Sequence, residues 1–162
     1  MTMMRRYHYV GPAELRSLPR TVSVVLAAPA DLDRWLAEQR GPEVDEPFTF
    51  VVTLDGALRL APRRSEHVTC ADGQDVLAAG EMAFVKTGGG WAVGSVSNQS
   101  TGYCPDPSSW PAVAAALERA GIGHPGSYTS EIVFRMCGAC GERTIVRDGD
   151  FTCALCDSAL EV

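Results

Sequence analysis

Residues 48–60 read FTFVVTLDGALRL, and the fold class turns on this stretch. Phe48 to Leu54 is a run of aromatic and β-branched residues, Asp55-Gly56 is a turn dipeptide, and Ala57 to Leu60 resumes the apolar pattern. Two such runs around Asp-Gly predict a β-hairpin, because a tight turn needs backbone conformations that Asp and Gly tolerate. The same punctuation recurs. Asp72-Gly73 and the glycines 88–90 bound HVTC (67–70), EMAFVKT (81–87) and WAVGSVS (91–97), so residues 41–134 are predicted to fold as hairpins joined into a mostly antiparallel sheet.

Helices flank that sheet. In PADLDRWLAEQRG (29–41), Leu32, Trp35 and Leu36 share one helical face, acids occupy the first turn, and Gly41 can end the helix. In SSWPAVAAALERAG (108–121), Trp110, Val113, Ala114 and Leu117 recur at helical spacing, with a serine cap before and Gly121 after. Pro111 is tolerated because the first turn has no intrahelical donors to lose. A short helix at PAELRSL (12–18), a β-branched run TVSVVL (21–26) and a strand EIVFRM (131–136) complete the prediction. The class is α+β.

Composition narrows the function. With 162 residues, 46% of them hydrophobic, the chain can bury an ordinary core and is too apolar to be disordered. The formal net charge is −6, which gives no overall footprint for phosphate backbones or anionic lipid. The apolar run TVSVVLAAPA (21–30) stops at proline, short of the roughly 20 residues that a membrane helix needs. MTMMRRYHYVG (1–11) has arginines but no apolar stretch behind them, so a cytoplasmic location is expected. In that compartment thiols stay reduced, and paired cysteines favour metal over disulfides.

That expectation meets MCGACGERTIVRDGDFTCALC (136–156), which holds two CxxC pairs: Cys137 with Cys140, and Cys153 with Cys156. Each pair can wrap its backbone so that both sulfurs face one ion, with Gly138 and Gly141 relieving the turn. The 12 residues between the pairs suffice for a hairpin from Thr144–Val146 through Asp148-Gly149-Asp150 to Phe151–Thr152. The arrangement resembles the zinc ribbon, with its rubredoxin-type knuckle pair, over residues 135–160. The resemblance implies one structural zinc per chain held by Cys137, Cys140, Cys153 and Cys156. Four thiolates leave no open coordination position for water or substrate. Arg135, Arg143 and Arg147 are outnumbered by Glu142, Asp148, Asp150, Asp157 and Glu161, which argues against nucleic acid as the partner.

Residues 63–110 carry a second likeness. Ser65 or His67, Ala71, Gly73, Val76, Ala78, Ala79, Gly80 and Glu81, then Asn98, Ser100, Tyr103 and Pro105, are similar to a domain of plant IQ-motif proteins and bacterial effector-like proteins. That domain's pattern runs HSSFLAGxPVxAAGE and then NxSGHYxP, and Gly102 stands at its histidine position. The likeness implies a shared sheet-and-loop fold and no particular chemistry. NQSTGYCP (98–105) follows a strand and precedes a helix, so Asn98, Gln99, Ser100 and Tyr103 are candidate ligand contacts at a sheet edge. Their bland role is to satisfy turn backbone.

Three other constellations present themselves. Cys104 with His67 or His124, oriented by Glu81 or Asp106, has the residue types of a thiolate pair. His67, Tyr103 and Glu131 follow in the order of the His, Tyr and Glu of one ADP-ribosyltransferase class, without that class's flanking pattern. His67, Cys70, Cys104 and His124 have metal-binding side chains at unpatterned separations, with strand spacing setting His67 and Cys70 on opposite faces. Arg59, Arg63 and Arg64 are a candidate anion-binding spot. The sequence thus predicts an α+β body (1–134) with a zinc ribbon (135–162) packed on it, because residues 126–130 are too short for a free linker. It reads as a binding or regulatory module for a protein or small ligand, with an enzyme or a nucleic-acid-binding ribbon as the alternatives.

Overall fold

The hairpin at residues 48–60 forms: β2 (Phe48–Thr53) and β3 (Leu58–Ala61) pair antiparallel, with Phe50 opposite Leu60. Gly56 takes φ of 84° in its turn. Asp55 accepts from the Thr53 hydroxyl and, at 3.2 Å, from the Ala57 amide, and these donors hold its carboxyl below the usual range. The structure is a computed structural model that describes residues 4–19, 23–39, 47–140, 143–146, 151–153, 156 and 158–159.

β1 (Val24–Leu26), β4 (Val76–Thr87) and β5 (Gly90–Val96) complete a five-stranded sheet in the order β1-β3-β2-β4-β5, every pairing antiparallel. The class is α+β, as the turn spacing predicted. Both faces of the sheet are covered, which explains why β2 is buried from Phe48 to Val52 rather than alternating between buried and exposed. Phe48, Phe50 and Val52 enter a larger core with Leu32, Trp35 and Leu36 of α1 (Pro29–Glu38) and with Val113, Ala116 and Leu117 of α3 (Trp110–Ala120). Val51 and Ala79 enter a smaller core on the other face with Tyr7, Val68, Cys70 and Tyr103. A Phe or Leu removed from water at such a site stabilises the fold by about 1.5–3 kcal/mol.

The two long helices obey their sequence signals at one end each. α3 closes on Gly121, whose φ of 73° is the left-handed cap expected of glycine, and the Ile122 amide returns to Leu117 O at 2.9 Å. At the start of α1, Asp31 accepts from the amides of Ala27 at 2.9 Å and Ala28 at 3.0 Å. α1 ends at Glu38 through the Gln39 amide, and Gly41 lies outside the described residues. The segment PAELRSL supplies a single 3-10 turn, Ala13–Ser17.

HVTC (67–70) is a correction. The β-branched run is not a strand but a one-turn helix, α2 (His67–Cys70), with the Cys70 amide bonded to Glu66 O at 3.1 Å. Val68, Thr69 and Cys70 are buried in succession, a pattern that a strand with one solvent face cannot give. Strand propensity loses because Val68 and Cys70 find their partners in the smaller core. The strand begins instead at Val76 and runs through VLAAGEMAFVKT, the longest in the sheet.

Beyond the sheet, β6 (Val133–Met136) and β7 (Arg143–Val146) form a separate antiparallel pair, with Phe134 opposite Ile145. The sequence placed β7 in a hairpin with residues 151–152. Its partner is β6, Thr152 bridges Ala159, and the turn at 147–150 lies outside the described residues.

One backbone approach governs the middle of the sheet. A Cβ added to Gly80 would lie 1.9 Å from the Ser97 carbonyl oxygen, so only glycine admits the chain there. Gly80→Ala is expected to destabilise the protein by about 3 kcal/mol, read as a lowered midpoint in urea denaturation; an unchanged midpoint would show that the two strands separate easily.

Candidate metal centre and the loop at residues 97–106

The four cysteine sulfurs predicted as ligands converge, all lying within 4.8 Å of one another. Cys137 Sγ is 3.6 Å from Cys156 Sγ, and Cys140 Sγ is 3.6 Å from Cys153 Sγ. Each close contact joins one knuckle to the other. A disulfide requires about 2.05 Å, whereas sulfurs about 2.3 Å from a shared tetrahedral ion stand about 3.8 Å apart. The separations therefore suit four ligands of one metal ion and not two bridges.

β6 leads into Cys137, β7 follows Cys140, and their pairing brings the first knuckle beside Cys153, whose amide is fixed to Ser158 O at 2.7 Å. The first cysteine of each knuckle is buried and the second is exposed. Hydrogen bonds from Ser158, and then from Cys137, pull the Cys156 thiol down to about 6, toward the thiolate that a metal needs. Gly138 is not needed for the turn: its φ is not positive and the space for a Cβ is open, while Gly141 lies outside the described residues. Among the described residues the local apolar cluster is Cys137 and Cys153, with Val146 and Phe151 against them. Among the described residues no other group of three or more His, Cys, Asp or Glu is placed to hold a metal. In particular His67, Cys70, Cys104 and His124 make no such group: His67 bonds Gly80 O at 2.8 Å, His124 faces Glu118 at 3.3 Å, and burial pushes the Cys70 thiol up to about 12.

The loop after β5 is framed by Asn98, whose side chain is fully buried. Its Nδ2 donates to Pro105 O and to Ile132 O, each at 2.8 Å, and its Oδ1 accepts from the Ile132 amide at 2.7 Å. All the amide's principal bonds are thus made within the chain, clamping residues 98–105 to the segment that leads into β6. Ser100 is buried and accepts from the Tyr103 amide at 3.3 Å. Tyr103 packs edge-on against Tyr9, and its hydroxyl donates to Gln74 O at 2.7 Å. Gln99 differs: it is exposed and borders a groove of about 300 Å³ with Pro47, Glu81, Ser95, Ser97 and Ser130.

The candidate catalytic residues are not linked. His67 uses Nε2 on Gly80 O, Tyr103 its hydroxyl on Gln74 O, and Cys104 its Sγ on Thr101 O at 3.4 Å, while Glu131 is exposed. No hydrogen bond connects His67, Tyr103 and Glu131. Burial holds the Tyr103 hydroxyl well above its usual range, so it stays protonated. Of the arginines, Arg59 shares a shallow groove with Asp55, Asp72 and Asp75, an acidic setting that opposes anion capture. The groove beside Gln99 was not assembled from sequence, because its lining comes from separated places in the chain. One signal was available: Glu81 is a lone carboxylate inside an apolar strand.

Compared with family models, curated proteins and solved structures, the chain has no significant match. The likenesses to the zinc ribbon and to the plant IQ-motif domain therefore rest on the residues quoted for them.

Two outcomes are expected. Asn98→Ala strands three backbone groups at once and should cost roughly 2–4 kcal/mol, with amide exchange at Ile132 accelerating before that of β2. Burial lowers the His67 imidazole below its ordinary 6.5, against the opposing pull of the Gly80 carbonyl. The unfolded chain then binds the extra proton, so the His67 contribution to stability is complete above about pH 6.5 and is lost as pH falls toward the lowered folded value. Urea midpoints measured from pH 7.5 to 5 should fall less in His67→Gln than in the parent; parallel slopes would show that this imidazole is not the titrating group.

Proposed function

We propose that the chain is a zinc-stapled binding or regulatory module, with recognition residing beside the loop at 97–106. Zinc is the ion that the chemistry of the four thiolates favours, with its preference for tetrahedral sulfur and its lack of redox demands. A closed shell of four cysteines excludes substrate from the metal, so the ion's contribution is to folding. Binding free energies of about 10–16 kcal/mol for structural zinc in finger peptides are ample to hold a two-stranded sheet with so small an apolar cluster.

The observation that carries the recognition role is the groove bordered by Gln99. Asn98, Ser100 and Tyr103 frame it by fixing the backbone, and a rigid frame with an exposed polar side chain is the usual construction of a binding loop. The ligand contacts thereby pass from Asn98, Ser100 and Tyr103 themselves to Gln99 and its neighbours across the groove. A protein partner or a small ligand suits this site better than nucleic acid, given the net charge of −6.

Metal analysis of the purified protein should return about one zinc per chain, and Cys137→Ser should abolish it while leaving the five-stranded sheet folded by circular dichroism and amide exchange. Purified protein that holds no metal, or a sheet that melts with the zinc, would overturn the separation of staple and recognition. For the groove, a small-molecule screen followed by amide chemical shifts should place its hits on residues 95–99 and 129–130, and these should be lost in Gln99→Ala. Hits confined elsewhere would remove the loop from the proposal.

A further inference from the structure

The half-buried carboxylate of Glu81 stands in the groove without a counterion among the described residues, and strand pairing on both sides fixes its backbone. β4 carries it between two neighbours, opposite Thr49 of β2, and its own carbonyl accepts from the Ser97 amide at 2.8 Å. Gly80 immediately before it admits the Ser97 carbonyl at a distance that no side chain would allow. The backbone of Glu81 therefore cannot shift to bring its side chain fully into water. No described residue donates a hydrogen bond or an ion pair to that carboxylate, and burial alone raises its carboxyl above the ordinary range, with no neighbouring charge offsetting it. A desolvated acid without a partner costs stability unless something compensates it, and such groups concentrate at functional sites.

What lines the rest of the groove defines the missing partner. Ser95, Ser97 and Ser130 present hydroxyls and Gln99 a side-chain amide. Ser97 lines the groove, and its Oγ accepts from the Gln99 amide at 3.3 Å, so its hydroxyl proton and second lone pair are not used by that bond. Thr129, by contrast, is committed: its hydroxyl accepts from Val96 N at 2.8 Å and donates to Val96 O at 3.1 Å, pinning the far wall to the sheet edge. Among the described residues that line it there is no Lys, Arg or aromatic ring. An anion would find no cation there, and a sugar or base would find no stacking face. A donor-rich cation finds one negative charge ringed by neutral oxygen acceptors.

We infer that this groove binds a compact organic cation, a guanidinium or alkylammonium group, whose charge is met by Glu81 and whose remaining N–H donors are met by Ser95, Ser97, Ser130 and Gln99. This rests on the proposal that the chain is a binding module and names the chemistry its site takes. A volume of about 300 Å³ is at the small end of ligand pockets, enough for a side-chain-sized group and not for a nucleotide. The net charge of −6 adds a long-range attraction for cations. The cation has two natural sources, a free amine or an Arg or Lys side chain of a partner protein, and the shared chemistry is the same.

The test uses the isotope-labelled, zinc-loaded full chain, titrated separately with agmatine and with a blocked Gly-Ser-Arg-Ser-Gly peptide, and with sodium acetate as the anionic control. Saturable amide shifts at Ser97, Gln99 and Ser130 with either cationic probe are expected, and none with acetate. Saturation by agmatine alone assigns a free small molecule, and saturation by the peptide alone assigns a partner side chain. Glu81→Gln should weaken binding by about tenfold or more, with zinc content unchanged and a thermal midpoint no lower than the parent's. Ser95→Lys, which supplies a competing ammonium from the chain itself, should abolish it in a folded protein. Absence of saturable shifts with both probes, or equal affinity in Glu81→Gln, overturns the inference. If a neutral or anionic ligand then occupies the same groove, the binding-module reading stands without the cation.

Discussion

The Ser97 carbonyl lies where residue 80 would carry a side chain, and much of the molecule's organisation depends on that approach. With a Cβ excluded from position 80, β5 can close on β4 as it leaves the sheet, and the amide of Ser97 bonds Glu81 O at 2.8 Å. The Gly80 carbonyl is engaged too, by His67 Nε2 at 2.8 Å, which docks α2 against the sheet. Directly after the crossing comes Asn98, whose buried amide draws the 98–105 loop and Ile132 together. Three separate parts of the fold thus meet at one missing methyl group. The groove is a consequence: its floor residue, Glu81, and its rim, Ser97 and Gln99, flank the contact in sequence.

The cysteine cluster solves a different problem by different means. The sheet has two apolar cores, one on each face, and needs no ion to account for its packing. Among the described residues, Cys137 and Cys153 bury little beyond Val146 and Phe151, and two short strands with such a cluster would be marginal in water. Coordination of an ion by the four sulfurs would substitute for a core, because each metal–ligand bond would restrain backbone that side-chain packing leaves free. Asn98, through Ile132, and the parallel bridge of Ser97 with Ser130 tie the sheet edge to the segment that leads into β6.

Particular residues show why some features were legible and others not. Asp55-Gly56, Gly121 and the cysteine spacing were legible because turn conformation, helix capping and chelate geometry are decided within a few residues. HVTC was misread because the β-branched pair Val68-Thr69 carries no local mark of the core that claims Val68 and Cys70. β7 was given residues 151–152 as its partner because adjacency in sequence favoured them, whereas it pairs with β6, the strand before the first knuckle. Asn98 and Tyr103 look like surface recognition residues in any reading of NQSTGYCP, since a polar loop side chain gives no sign that its neighbours will bury it.

The sequence by itself determined that the chain is an antiparallel α+β protein and that four thiols converge at its carboxyl end, because both follow from short-range geometry. The tertiary structure alone decided which polar side chains are interior fasteners and which face solvent. It alone gathered residues 47, 81, 95–97, 99 and 129–130 into one groove. Burial and charge environment are properties of what packs against a residue, and that is set by contacts between segments far apart in the chain.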